Sequence, residues 1–371
     1  MPIWKGQIFY PAMITKIGRK GLYLTITLIA SSLISGCQQN SNAQAIFSQQ
    51  ASETEISLEK VSADQFSQEQ LDRAKELADL GLAESKKGDL KATLKYTEQA
   101  IKVFPGYARA YFNRGVVKKD LGDIHGAFAD YTRAIELYPD TISPPRILHF
   151  SYSNRGNLRR KLGDNLGAIA DTSEAIKLKP SEAGYYGNRG MTYQESKDFE
   201  SAVFDYSRAI ELKPYVPGWH YNKGHSNFMI GNYQEAAKDL DQAISLNPSF
   251  GKAYSQRGHA HRNLGNIQQA EADYTEALQL GYKKKNTYFW RAQVRSELGK
   301  YSQALADYDR VIGKGSDNPT DYHARLLAHH HLGNLTAAKK DALKAAELYL
   351  EQGENTQHQS MMIYAQQGLR Y

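Results

Sequence analysis

The sequence repeats itself with a period of 34 residues from residue 74 onward. The segments 113–139 and 154–180, for example, both begin with NRG and both carry LGD eight residues later. Frames of 34 residues start at 74, 108, 149, 183, 217, 251, 285 and 319, with one seven-residue insertion around Ser143 to Pro145 before the third. A short repeated unit cannot bury its own apolar face, so the chain must fold by stacking its repeats.

Four positions within the frame are nearly constant. Position 8 is glycine in the first six frames, and positions 20 and 27 are each alanine in seven of the eight. Small residues at this spacing let two antiparallel helices approach closely, and a proline at position 32 ends the second helix. The pattern predicts an all-α chain of stacked helical hairpins. The prolines are Pro105, Pro139, Pro180, Pro214 and Pro248.

These spacings resemble the tetratricopeptide repeat over about three quarters of the chain. The resemblance implies a right-handed superhelical solenoid of about eight hairpins, over residues 67–350. Residues 351–371 are expected to form a capping helix or a tail, and Ser67 with Gln70 predicts a capping box at the first helix. In this family the first helix of each repeat lines the concave surface through positions 2, 5, 6, 9, 12 and 13.

A basic residue at position 7 and an aspartate at position 23 occur together in seven frames. The first frame, with Leu80 and Tyr96 at these positions, lacks both. Their joint presence predicts that the two charges neutralise each other within a hairpin or between adjacent hairpins; the alternative is a ligand-binding stripe of cations. As exposed pairs they would contribute about 0.2 to 1 kcal/mol each. The pairs are Arg114–Asp130, Arg155–Asp171, Arg189–Asp205, Lys223–Asp239, Arg257–Asp273, Arg291–Asp307 and Arg325–Asp341.

Position 6, on the expected concave face, carries Asn113, Asn154, Asn188 and Asn222, followed by Gln256. A side-chain amide both donates and accepts hydrogen bonds, so a row of amides can hold an extended peptide by its backbone. The alternative is that these residues belong to the helix consensus and contact only water. Further groove candidates, some of which could instead be core, are Phe112, Phe150, Met191, Tyr221, His225, Phe228, Met229 and Phe289.

The segment before Cys37 has the order of a secretory signal, with basic Arg19 and Lys20 followed by an apolar stretch from Gly21 to Leu33. The sequence ISGC at 34–37 resembles the lipobox of bacterial lipoproteins. This resemblance implies a signal peptide over 1–36, acyl chains such as palmitate on Cys37, and a flexible Ser- and Gln-rich tether over 37–66. The alternatives are an uncleaved membrane helix or a buried cysteine, and translation starts at Met1 or at Met13.

The charge of the chain argues against nucleic-acid binding. The formal net charge is +6, but four basic residues precede Cys37, and the remainder carries 42 basic and 40 acidic residues. Interspersed charges near neutrality lack the one-sided basic face that phosphate binding needs. The run His329–His331 points in several directions on a helix and predicts solvated side chains rather than a metal site. We expect no cofactor and no small-molecule substrate.

The sequence therefore favours a membrane-tethered scaffold or adaptor, not an enzyme, that binds proteins or extended peptide segments in envelope assembly or regulation. It would face the periplasm of a bacterial envelope, at the outer membrane if Gln38 acts as a sorting residue. One alternative is an enzyme or enzyme subunit, although only about 20 residues follow the last frame, too few for a catalytic domain. The other is an assembly factor for membrane complexes, including photosynthetic ones, with an uncleaved anchor.

Overall fold

The computed structural model describes residues 67–138, 145–313 and 315–367. Within these ranges the chain forms seventeen α-helices and no strand, so the predicted all-α solenoid of helical hairpins is confirmed. The predicted signal peptide, Cys37 and the tether lie outside the described residues. None of the described helices is both long enough and apolar enough to cross a membrane.

Eight hairpins follow one another, each made of two antiparallel helices. The first helices are α1 (Gln68–Lys86), α3 (Ala108–Asp120), α5 (Pro145–Lys161), α7 (Ala183–Glu195), α9 (Pro217–Met229), α11 (Gly251–Asn263), α13 (Lys285–Glu297) and α15 (Pro319–His331). The second helices are α2 (Leu90–Val103), α4 (Ile124–Glu136), α6 (Asn165–Leu178), α8 (Phe199–Leu212), α10 (Tyr233–Leu246), α12 (Ile267–Gln279), α14 (Tyr301–Ile312) and α16 (Leu335–Glu351). A last helix, α17 (Asn355–Gln367), packs against α16.

Local sequence sets the helix ends. Ser67 and Gln70 form the predicted capping box, with Ser67 Oγ accepting from the Gln70 amide and Gln70 Oε1 accepting from the Ser67 amide. Between the two helices of the second hairpin, Gly122 has a φ of +86°, which ends the first helix at low cost because glycine has no Cβ. Asp123 then caps the second helix by accepting from the Gly126 amide at 2.8 Å.

Contacts between neighbouring hairpins place the first helices together on one side of the stack. Each helix packs against the next one along the chain, and first helices of neighbouring repeats also contact each other along most of the stack. Second helices of neighbouring repeats make no comparable contacts in the described part of the chain. The first helices therefore line the concave face, as the tetratricopeptide pattern implies.

The core is built from glycine and alanine packed against large rings. Frame position 24 carries Tyr131, Tyr206, Tyr274 and Tyr308, each at most 1% exposed. In the repeats of Tyr131, Tyr206 and Tyr274, glycine at position 8 makes room for this ring: a Cβ placed on Gly258 would lie 2.8 Å from Cε1 of Tyr274. The repeat of Tyr308 has Ala292 at position 8 instead. The small residue is thus required by the neighbouring tyrosine rather than by backbone conformation.

We predict that Gly258→Ala destabilises the solenoid by about 1 to 3 kcal/mol, because the added methyl group overpacks against Tyr274. Urea unfolding followed by circular dichroism measures this. Gly218→Ala is the matched control, since Gly218 is helical and a Cβ there has no neighbour within 4 Å. It should be neutral or stabilising by up to about 1 kcal/mol. Equal effects of the two substitutions would contradict the packing argument.

Candidate functional site

A buried ion pair joins the two helices in seven of the eight described hairpins, all but the first, and Arg189 on α7 shows its geometry. Its Nε donates to Asp205 Oδ2 and its Nη2 to Asp205 Oδ1, both at 2.8 Å, which is the bidentate arrangement that guanidinium and carboxylate prefer. Asp205 is 0% exposed. The same pairing across a hairpin holds for Arg114–Asp130, Arg155–Asp171, Arg257–Asp273, Arg291–Asp307 and Arg325–Asp341.

The arginine also reaches the preceding hairpin. Arg189 Nη1 donates to Ser173 Oγ on α6 at 2.9 Å, and Arg325 Nη1 donates to Asp309 on α14 at 2.8 Å. The acceptor is always frame position 25 of the previous repeat, with further contacts of this kind from Arg155 to Thr132, Arg257 to Asp241 and Arg291 to Thr275. One guanidinium therefore links three helices from two repeats.

A tyrosine at position 4 completes the arrangement. The guanidinium carbon of Arg257 lies 5.3 Å from the ring centre of Tyr254, one turn earlier on α11, which is within cation–π distance. Equivalent stacking occurs on Tyr111, Tyr152, Tyr186, Tyr288 and Tyr322. Neither this tyrosine nor the position-25 acceptor was predicted from the sequence, although each recurs with the same 34-residue period.

The fifth hairpin satisfies its aspartate differently. Lys223 Nζ donates to Asp239 Oδ1 at 3.0 Å, and the Asn227 side-chain amide donates to Asp239 Oδ2 at 2.8 Å. Position 4 there is His220 rather than tyrosine. A lysine offers one point charge instead of a planar fork, so a second donor is needed to occupy both carboxylate oxygens.

These contacts favour the structural interpretation of the charges over a ligand-binding stripe. The expectation of exposed pairs was wrong, because all seven aspartates are buried, with Asp239 the most accessible at 9%. A buried carboxylate without its partner is far more costly than a broken surface pair, about 3 to 5 kcal/mol. Each pair therefore constrains the stacking of the repeats.

The row of amides at position 6 lies on the concave face, as the sequence predicts for a groove. Asn113, Asn154, Asn188 and Asn222 are all half-buried. Nδ2 of Asn113 is buried and has no hydrogen-bond partner in the described structure. The side chains of Asn154 and Asn188 also form no hydrogen bond with the described residues, so their donors and acceptors are available to a ligand.

The apolar groove candidates divide between surface and core. Phe150 and Met229 are exposed by 38% and 49%, and Met191 and His225 are half-buried. Tyr221 is only 6% exposed and its ring packs on Phe250 at 5.1 Å between hairpins, but it also lines the cavity between α9, α11 and the start of α13. Phe112, Phe228 and Phe289 are partly buried against core clusters and present only part of each ring.

The histidines of the last hairpins are not uniformly solvated, contrary to expectation. His331 stacks on Tyr301 with ring centres 4.4 Å apart, and His330 Nδ1 lies 3.0 Å from the hydroxyl of Tyr364 on α17. The described residues contain no group of three or more His, Cys, Asp or Glu side chains placed to hold a metal ion. The run His329–His331 instead contributes to packing at the end of the stack.

His259 lies at position 9 of α11, among the rings of Phe228, Tyr274 and Trp290. Its Nδ1 is 2.8 Å from the Tyr274 hydroxyl, and its ring meets Trp290 edge to face at 5.8 Å. Burial, with a smaller contribution from the positive charge of Arg262, lowers the pKa of His259 to about 4. The groove therefore presents a neutral imidazole here at neutral pH.

Fold and groove together define a helical-repeat protein with a concave surface suited to elongated ligands. Models of the tetratricopeptide repeat match residues 108–141, 183–215, 219–250 and 251–280, and the matches at 108, 183 and 251 begin where a frame begins. These segments are tetratricopeptide repeats, and the matches support assignment of the chain to that family.

Relatives match only part of the chain. Tetratricopeptide repeat protein 36 of Danio rerio is 42% identical over 72 residues, which are 19% of this chain, and the chain spans 38% of that protein. The human protein of the same name is 40% identical over the same length. Among solved structures, Pseudomonas aeruginosa pilF has a TM-score of 0.50 at 17% identity, covering 59% of this chain and 98% of its own, and it supports the fold alone.

We predict strong coupling between Arg189 and Asp205 in a double-mutant cycle. Arg189→Leu should cost about 3 to 5 kcal/mol because it leaves a buried carboxylate unpaired, and the double variant with Asp205→Leu should cost less than the sum of the singles by about 1 to 3 kcal/mol. The matched control is the exposed pair Lys238–Glu235, whose side chains are 61% and 59% exposed. Leucine substitutions there should couple by less than about 0.5 kcal/mol. Additive effects of Arg189→Leu and Asp205→Leu would refute the coupling.

We also predict a pH dependence of stability that includes a contribution from His259. Its folded pKa of about 4 lies below the ordinary value near 6.5, so the unfolded chain binds more protons between these values and stability falls as pH drops from about 6.5 to about 4. Between pH 7 and pH 4.5 this amounts to about 2 to 3 kcal/mol. The free energy of unfolding, measured with urea at both pH values, should decrease by about 2 to 3 kcal/mol less in His259→Gln than in the exposed control His125→Gln. Identical losses would show that His259 does not titrate in this way.

Proposed function

We propose that the chain is a membrane-tethered scaffold that binds extended segments of partner proteins in the concave groove of its solenoid. The observation that carries this proposal is the row of half-buried amides, in which Asn154 and Asn188 form no hydrogen bond within the described structure. The polar atoms of Asn154 and Asn188 are not buried, so a bound peptide backbone would replace the water that solvates them in the free chain. Within this row, only Nδ2 of Asn113 is buried without a partner in the described structure, and a ligand acceptor would remove the cost of that unsatisfied donor.

The chemistry of this row suits a peptide backbone. Every peptide unit offers one N–H donor and one carbonyl acceptor, and an asparagine side chain complements both. Amides repeated on successive first helices meet successive backbone units irrespective of the ligand's side chains. Nearby exposed Phe150 and Met229 then supply adaptable apolar contacts that select among segments.

The proposed tether is Cys37, acylated after removal of residues 1–36. Several acyl chains anchor a protein durably, because each buried CH₂ contributes about 0.8 kcal/mol whereas a single chain binds only marginally. The polar stretch over 37–66 would let the solenoid reach partners near the membrane. We place the protein in a bacterial cell envelope, facing the periplasm, where it would recruit partners for assembly or regulation rather than catalyse a reaction.

A photocrosslinking experiment in the native host tests the groove. A benzoylphenylalanine placed at Met229, in the groove, should capture partner proteins, whereas one at Leu166, which is 84% exposed on a second helix, should not. Asn154→Ala with Asn188→Ala should reduce capture from Met229 at least several-fold. Gln268→Ala with Gln269→Ala removes two exposed amides from a second helix and should leave capture unchanged. Equal capture in both double variants would refute groove binding through the amides.

Mass spectrometry of the same preparations tests the anchor. An N-terminus at an acylated residue 37, lost from the membrane fraction in Cys37→Ser, supports the lipoprotein assignment. An intact N-terminus with captured subunits of cytoplasm-facing or photosynthetic complexes would instead favour the assembly-factor alternative.

A further inference from the structure

The connection between the sixth and seventh repeats departs from those before it. Five earlier repeats place proline at position 32, but the sixth places Tyr282 there, after Gly281 with a φ of +84°. Three lysines, Lys283 to Lys285, follow it directly, and all three are exposed. The seventh repeat also lacks the proline, with Ser316 at position 32, but the run of three lysines occurs only after the sixth.

Two adjoining cavities open beside this connection. One, of about 500 Å³, lies between α9, α11 and the start of α13, and it is lined by Lys252, Gln256 and Lys284 among others. The second, of about 530 Å³, lies between α11, α13 and α15, against Phe289 and Trp290. Lys285 and Asn286 line both cavities, so the two adjoin at these residues, and together we call them the trough.

The cations around the trough differ in how they are neutralised. Lys285 Nζ pairs with Asp321 Oδ2 at 2.7 Å, and Arg262 stacks on Trp290 at 4.6 Å and lies 3.5 Å from Glu297. Lys252 lies over the ring of Tyr221 at 4.8 Å but has no acidic partner in the described structure, and Lys284 has none there either. Two exposed ammonium groups therefore face the trough with no internal counter-charge.

The position of the lysines is also unfavourable for the fold itself. Helix α13 begins at Lys285, with Lys284 as its N-cap, and it has no acidic residue in its first turn. Positive charge near a helix N-terminus opposes the helix dipole and therefore carries an energetic cost. An anionic ligand at this place would offset both that cost and the mutual repulsion of the lysines.

We propose that this trough binds an acidic segment of a partner polypeptide, with its carboxylates at Lys252 and Lys284 and its apolar side chains against Phe289 and Trp290. This inference rests on the groove function proposed above and assigns its ligand chemistry. The aromatic rings of Phe289 and Trp290 line the cavity that adjoins the one with Lys252 and Lys284. They favour a polypeptide over a bare phosphate group, since they offer apolar surface that only side chains can use. The amides of Gln256, Asn286 and Gln293 serve its backbone.

Fluorescence anisotropy with three labelled ten-residue peptides tests the proposal on the full chain in detergent micelles. The peptides share Leu, Phe and Ser residues and differ only in carrying four Glu, four Gln or four Lys. We expect the Glu peptide to bind tightest and its affinity to fall with added salt. Lys252→Gln with Lys284→Gln should weaken it about three- to tenfold. Lys339→Gln with Lys340→Gln, which removes two exposed lysines from α16, should leave its Kd unchanged, and thermal melts check that both variants fold.

Three other outcomes would overturn the proposal. Equal binding of the Glu and Gln peptides, weakened by the Asn154 and Asn188 substitutions, would leave the groove function standing but refute the acidic ligand. Failure of all three peptides to bind would count against both. Displacement of the Glu peptide by inorganic phosphate, beyond that caused by potassium chloride at equal ionic strength, would assign the lysines to a phosphate-bearing ligand such as a lipid headgroup.

Discussion

The stacking of this solenoid depends on one repeated interaction, an arginine held between a buried aspartate, a tyrosine ring and a polar group of the preceding hairpin. The carboxylate cannot be left alone in the interior, and the guanidinium is the group that can satisfy it from a neighbouring helix. Because a single guanidinium contacts three helices, the geometry within a hairpin and the geometry between hairpins are fixed together. A hydrophobic contact of the same area would let one helix shift along its neighbour, whereas a bidentate ion pair fixes their relative position.

Because the stacking interaction and the groove use different frame positions, the groove residues can vary without changing the stack. The side chains that fix the stack come from positions 4, 7, 23 and 25, whereas the proposed ligand contacts come mainly from positions 2, 6, 9 and 13 of the first helices. Asn154 and Phe150 can therefore differ from Gln256 and Lys252 at the equivalent places without disturbing Arg155 or Arg257. Some groove positions still serve the core: Tyr221, at position 5, is packed between hairpins. Position 5 is thus constrained by the stack as well as by any ligand.

The sequence predicted the hairpins well because their determinants are local and periodic. Glycine at position 8, alanine at 20 and 27 and the aspartates before the second helices all act within one hairpin, and the capping box of Ser67 and Gln70 lies within four residues. The burial of Asp205 was not predictable in the same way, because it depends on the next hairpin covering the pair. Tyr186 and Ser173 could have been recognised from their period alone, but their role requires knowing which faces meet. The trough beside Lys284 depends on three repeats at once, and its only sequence signal was the missing proline.

The charge distribution explains how a nearly neutral chain can still present a charged site. The arginines at position 7 are neutralised by ion pairs with the aspartates at position 23. A count of basic residues therefore overstates the positive charge that is available to a ligand. What remains on the concave face is a small number of unpaired lysines, of which Lys252 and Lys284 border the trough. Exposed charges of this kind contribute little affinity individually, and most binding energy must come from the apolar walls and the amides. Their larger effect is on which segments approach and in which orientation, because like charges are repelled before contact and opposite charges are steered to the site.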